Sequence, residues 1–226
     1  MPAHPPSRIF SEPVQKTSGP ARRRRGRPRA YDPDQALQRA LEVFWRFGYA
    51  RTSLDDIVLA TGMNRPSLYA AFGDKRSLYL KALTHYHAMT GEALRRALSG
   101  TDLLRTRLMR VYEAAITLYL SGDQALGCFA VGTATTEAAE DPDVRTMLAE
   151  STRRLDQAFE ARISAARDAG ELPPEADTAA LASLASATLH TIAIRARAGI
   201  RRDELLDLAR RAVAIICPCQ PGVDAP

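Results

Sequence analysis

From residue 37 almost to the end of the chain, apolar residues recur at helical spacing. Nowhere do they alternate with polar residues as a strand requires. Leu37, Ala40, Leu41, Phe44 and Phe47 outline a first helix, started by Asp32-Pro33-Asp34 and ended by Gly48-Tyr49. Trp45 falls in that run and reads as a partly buried core residue. Ser53, with Asp56 three residues on, forms a capping box for a second helix that turns Leu54, Ile57 and Val58 inward. Thr61-Gly62-Met63 is a sharp break. Asn64 then caps a third helix, with Pro66 in its first turn, where a missing N–H costs nothing. Leu68 and Phe72 share its inner side. Asp74 starts a longer helix over about 74–98, marked by Leu78, Ala82, Leu83 and Tyr86.

Five more helical stretches follow, over 101–120, 128–139, 143–169, 177–198 and 202–216. Gly100, Gly122, Gly127, Gly170 and Gly199 separate them, together with Asp141-Pro142 and Pro173-Pro174. The pattern predicts an all-α protein of about nine helices with short links. It divides into a tail and basic arm over 1–29, a helix-turn-helix domain over 30–80, a larger helical body over 81–217 and a short tail over 218–226.

The second and third helices carry the chemistry. With Leu68 and Phe72 turned in, Arg65, Ser67, Tyr69 and Ala70 face out, a small, polar and positive set suited to a DNA major groove. Charge supports this. Residues 1–85 hold 15 Lys and Arg against 7 Asp and Glu, a balance of +8; the rest hold 16 against 19, a balance of −3, giving the +5 of the whole chain. The run RRRRGRPR over 22–29 lies just ahead of the first helix, and Arg27 and Arg29 suit a narrow minor groove. Residues 1–20 are Pro- and Ser-rich, without periodicity, and are expected to be disordered.

The run over 52–79 resembles the DNA-binding domain of the TetR family of bacterial one-component repressors. The resemblance rests on Thr52-Ser53, the Gly62 turn, Leu68-Tyr69-Ala70-Ala71-Phe72 and Asp74-Lys75, matched in order. Val58 departs from it, standing where the family usually has Ala, and is expected to open the angle between the two helices slightly. The resemblance implies DNA contacts from Thr52, Ser53, Asn64, Arg65, Pro66, Ser67, Tyr69, Ala70 and Lys75. It also implies a C-terminal body that binds an effector and dimerises. In that body, Tyr112, Ile116 and Tyr119 share a helical face and, with Cys128, Phe129, Met147 and Phe159, are the candidate cavity lining; an ordinary filled core is the other reading of the same residues. Since these walls offer no charged pair, a mostly apolar, aromatic effector is expected. The last two helices carry more apolar surface than one protomer face needs. Leu181, Leu184, Thr188, Ile192, Leu205, Ala209, Val213 and Ile216 are accordingly expected at a two-fold, four-helix dimer interface.

Other chemistry is thin. No nucleophile–base pair, phosphate loop or metal cluster stands out, so no cofactor, metal or catalytic residue is expected. Three cysteines argue against a disulfide framework. Cys217 and Cys219 read as incidental thiols. Cys128 reads as a buried thiol, or as one activated at a helix start. His190 reads as a core or interface histidine. With no secretory signal and no long apolar run, the chain is expected in the cytoplasm, on the nucleoid. The expected function is a homodimeric repressor that binds a palindromic operator in double-stranded DNA and is released by a small molecule. Alternatives are an activator on the same fold, or an α-helical enzyme or scaffold.

Overall fold

A computed structural model describes residues 32–218. Along them run α1 (Pro33–Arg51), α2 (Leu54–Thr61), α3 (Arg65–Phe72), α4 (Lys75–Leu98), α5 (Leu104–Tyr119), the short α6 (Thr135–Glu137), α7 (Pro142–Asp168), α8 (Thr178–Arg197) and α9 (Arg202–Ile216). A π-helical turn, Ala130–Ala134, leads into α6. The fold is all-α, with a three-helix DNA-binding head on a larger helical body. Arg27 and Arg29 of the basic arm lie outside the described residues.

Most helix starts are set by short polar side chains. Asp32, Ser53, Asn64, Asp74, Asp141 and Asp177 each accept a hydrogen bond from a backbone N–H in the first turn of the following helix. At α2 the capping box is complete, with Ser53 and Asp56 bonding reciprocally. Gly62 (φ 70°) ends α2 in the left-handed conformation that the tight turn into α3 requires.

Two stretches differ from the expected helices. Gly48 (φ 77°) breaks α1 inside its span, and the last turn to Arg51 is re-formed beyond it. The stretch over 128–139 is a wide π turn followed by one turn of α-helix. Phe129 and Thr133 anchor it through tertiary contacts.

Those contacts join the body to the head. One apolar core lies beneath α1–α4 and takes in Phe129, Ala130, Ala134, Ala138 and Val144 from the body; a second is built from α5, α7, α8 and α9. Phe129 is fully buried among Trp45, Tyr79 and Tyr86, with ring centroids 5.5–6.1 Å away at tilted or edge-on angles. Trp45 is more deeply buried than expected, because this cage closes over it and its indole N–H donates to the Gly127 carbonyl (3.1 Å). The Tyr79 and Thr133 hydroxyls are hydrogen-bonded at 2.9 Å, while Thr133 Oγ1 donates to the Phe129 carbonyl. On the surface, Arg76 of α4 pairs with Asp141 and Asp143 at the start of α7, each at 2.6 Å.

The α4 helix, 24 residues and about 36 Å long, runs from head to body without a break. The expected domain boundary at 80/81 therefore falls inside a continuous helix. By length and composition alone α8 would suffice to cross a bilayer; here it packs against α5, α7 and α9.

Candidate functional site

The turn between α2 and α3 presents α3 outward. Asn64 Oδ1 caps it by accepting from the Ser67 N–H (2.9 Å), while Leu68 and Phe72 anchor its inner side. Asn64, Arg65, Pro66, Tyr69 and Ala70 are exposed and Ser67 is half-buried. At its far end, Lys81 of α4 donates to the Phe72 carbonyl (3.1 Å), which ties α3 to α4.

Several candidate contacts are engaged within the protein. Arg65 grips Asp55 of α2 through both carboxylate oxygens, at 2.7 and 2.8 Å, and this bond raises the guanidinium's already high pKa. Lys75 Nζ sits 4.5 Å from the Tyr49 ring centroid and is half-buried. Ser53 is exposed, with its hydroxyl bonded to Asp56 (2.6 Å). Thr52 is a correction: its side chain is 1% exposed and its hydroxyl donates to the Gly48 carbonyl at 2.6 Å. The hydroxyl of Thr52 is thus engaged at the break in α1 rather than open to a phosphate.

Behind the head, α4, α5, α7 and α8 line a half-open cavity of about 820 Å³, a volume suited to a small organic molecule. Of the expected lining, Tyr119 and Cys128 are present. Tyr112, Ile116, Phe129 and Phe159 are instead fully buried in the cores, and Met147 packs against the first core. The Tyr112 hydroxyl, for example, donates to the Ala185 carbonyl of α8 (3.1 Å). These residues have the right spacing, but their shared faces look into packed helices.

The walls come instead from Leu94, Val111, Ala115, Leu118, Leu148, Leu155 and Leu189, with Tyr86, His87, Thr90 and His190 as polar members. The expectation of walls without charge is also corrected: Arg95 and Arg154 line the cavity, paired with Glu92 and Glu150 on their own helices. Cys128 Sγ receives a hydrogen bond from the Tyr86 hydroxyl (3.3 Å) and neighbours that of Tyr119. Burial first, and Cys128 second, push both tyrosines well above the ordinary phenol range. Burial holds His87 down at about 4, with the Arg154 charge adding to it, and burial lowers His190 as well. Both histidines are therefore neutral at pH 7.

The candidate dimer residues divide. Ile192, Leu205, Ala209, Val213 and Ile216 lie in the protomer's own second core, Val213 at 1% exposure. Thr188 is also buried, with its hydroxyl donating to the Leu184 carbonyl (2.8 Å). Leu181 and Leu184 are half-buried. The outward face is carried by Ala187 and Ile194 of α8, by Ala198 just past its end and by Ala214 and Ile215 of α9, with Ile194 58% and Ile215 65% exposed. The stripe at 205, 209, 213 and 216 is the one that seats α9 on α5 and α8, and α8 is apolar on nearly every side, so periodicity points to no outer face.

A capped recognition helix beside a helix-turn-helix partner, carried on a helical body with a cavity, defines a one-chain helix-turn-helix regulator. Comparison with known proteins agrees. Residues 36–82 match the family model of bacterial regulatory proteins, tetR family, and residues 105–213 that of the tetracyclin repressor-like C-terminal domain. The HTH-type transcriptional repressor ComR of Escherichia coli (strain K12) is 30% identical over 188 residues, 82% of this chain and 89% of that protein. The HTH-type transcriptional activator FasR of Mycolicibacterium smegmatis (strain ATCC 700084 / mc(2)155) is 34% identical over 100 residues, 44% of this chain and 46% of that protein. A cysteine mutant of the TetR family transcriptional regulator CifR, complexed with 26bp double-strand operator DNA, has a TM-score of 0.76 and 33% identity, covering 83% of this chain and 98% of that one. The chain belongs to the TetR family of DNA-binding transcriptional regulators.

Proposed function

We propose that this regulator is a homodimeric repressor that binds a near-palindromic operator and is released when a small molecule enters the cavity. The observation that carries this reading is the double role of the segment around the π turn. Cys128, Ala130 and Val131 form part of the cavity wall, while Phe129 and Thr133 of the same segment pack against Trp45 and Tyr79 of the head. The α4 helix has the same double role, with Tyr79 against Phe44 and Tyr49 and Lys81 on the Phe72 carbonyl holding the head, and Tyr86, His87 and Thr90 lining the cavity. A molecule that spreads the cavity displaces both connections at once.

DNA release then follows from geometry. Two recognition helices fit successive major grooves only at a spacing of about 34–36 Å or a multiple of it. A ligand that prefers another spacing lowers operator affinity, and a coupling of about 1–3 kcal/mol gives a roughly 5–150-fold change. Repression is favoured by the likeness to ComR, which covers most of both chains; the shorter match to FasR supports activation as a second reading. Such a regulator works on the nucleoid, in the cytoplasm. Selection from a random duplex pool, followed by anisotropy titrations at several salt concentrations, tests the DNA reading. An inverted repeat, bound by two protomers with a steep salt dependence, is expected. Recovery of no preferred sequence overturns it.

A further inference from the structure

The recognition helix α3 has 8 residues, too few to hold a helical shape unaided. Its first turn is fixed by the Asn64 cap and the Arg65–Asp55 pair, and its inner side by Leu68 and Phe72. Its last turn ends in carbonyls that lie beyond the reach of the helix's own N–H groups. The Gly73 N–H bonds the Tyr69 carbonyl (2.9 Å), and Gly73, at φ 81°, then turns the chain away. The next carbonyls are met from outside the helix. Lys81 Nζ of α4 stands 3.1 Å from the Phe72 oxygen, 3.4 Å from that of Ala71 and 5.7 Å from the Phe72 ring centroid. A cation at this end also complements the negative pole of the helix.

We infer that Lys81 is a positioning residue for DNA recognition: from α4 it holds the last turn of α3 at the angle that presents Tyr69 and Ala70 to base edges, without contacting DNA itself. The inference rests on sequence-specific binding through α3. Tyr69 and Ala70 are exposed on the held turn. The ammonium is carried on a fixed part of α4, since Ala82 and Leu83 beside it are fully buried in the core of the head. A lysine that contacts phosphate supports every duplex alike, whereas one that orients the recognition helix supports only the sequence that helix reads.

The two roles separate in anisotropy titrations of the full-length protein and Lys81→Met, which keeps most of the stem and removes the donor. The probes are the repeat selected from a random pool and a random duplex of equal length, each at several salt concentrations. Lys81→Met should lose roughly three- to tenfold in affinity for the selected repeat, what one hydrogen bond supplies. Its affinity for the random duplex and both salt slopes should be unchanged, and Lys81→Arg, which keeps a charged donor, should retain most of the preference. Lys81→Gln, read in the same way, serves if Lys81→Met does not fold. An equal fall on both duplexes overturns the inference, and a log–log slope lowered by about 0.9 would make Lys81 a phosphate contact instead. Unchanged affinity for the repeat, or a Lys81→Arg protein as weak on it as Lys81→Met, also overturns the inference while the DNA reading stands. A pool that yields no preferred sequence overturns both.

Discussion

Arg65 is held before any DNA arrives. Its fork is closed on Asp55 across the turn between α2 and α3, which fixes the side chain at the start of the recognition helix. To read a guanine edge, Arg65 has to exchange one carboxylate for two base acceptors. Arg65→Ala is therefore expected to weaken operator binding roughly 5–150-fold and to relax the preference at one base position, with thermal stability unchanged because the pair is exposed. Asp55→Ala should act in the opposite sense on random duplex DNA, tightening it by releasing the guanidinium; binding no tighter than that of the unaltered protein contradicts the pairing as a restraint. The outward set of α3 was legible in the sequence because Leu68 and Phe72 fix the inner face of a two-turn helix. Thr52 was not, since its hydroxyl bonds the Gly48 carbonyl at a break in α1 that the apolar spacing does not announce.

Helix order was legible because the signals that start helices are local: an Asp, Ser or Asn followed by a free first turn reads the same in any fold. Which core a helix face looks into is not local. Tyr112 and Tyr119 lie about two turns apart on α5, yet Tyr119 borders the cavity and Tyr112 is sealed against α8. The junction of α4 and α7 is a second tertiary feature that no spacing announces. Arg76 holds the Asp141 carboxyl down at about 2, helped by the backbone N–H groups of Val144 and Asp143 that the same carboxyl caps. A depressed carboxylate contributes stability above its unfolded value of about 3.9 and loses it as pH falls through the folded value. The contribution of Asp141 should thus disappear between about pH 4 and 2. In Asp141→Asn, urea midpoints should fall less over that window than in the unaltered protein, and at pH 7 the variant should already be the less stable of the two. Identical pH profiles would show that the ion pair does not hold α7 to α4.

For the whole molecule, the two cores share one boundary. Leu118 and Cys128 pack against both cores, and the cavity lies between the body and the segment that plugs the head. In the proposed homodimer, the outward face of α8 and α9 seats the second protomer. Ile194→Arg should give a folded monomer by sedimentation and circular dichroism, with weakened operator binding. Val213→Arg should fail to fold, because it places an unpaired charge where the side chain is 1% exposed. A dimeric Ile194→Arg protein would move the interface elsewhere.

In the proposed repressor, occupying the cavity and holding operator DNA oppose each other through the Phe129–Thr133 segment and α4. Filling the cavity from within tests this without any choice of effector. Ala115 is half-buried in the cavity wall on α5, away from both the head and the α8–α9 outer face. The measurement is the operator affinity of Ala115→Trp by anisotropy titration, on protein shown to be folded and of unchanged oligomeric state. A loss of roughly 5–150-fold is expected, the range of an allosteric coupling. Operator affinity equal to that of the unaltered protein would show that cavity and operator are not opposed.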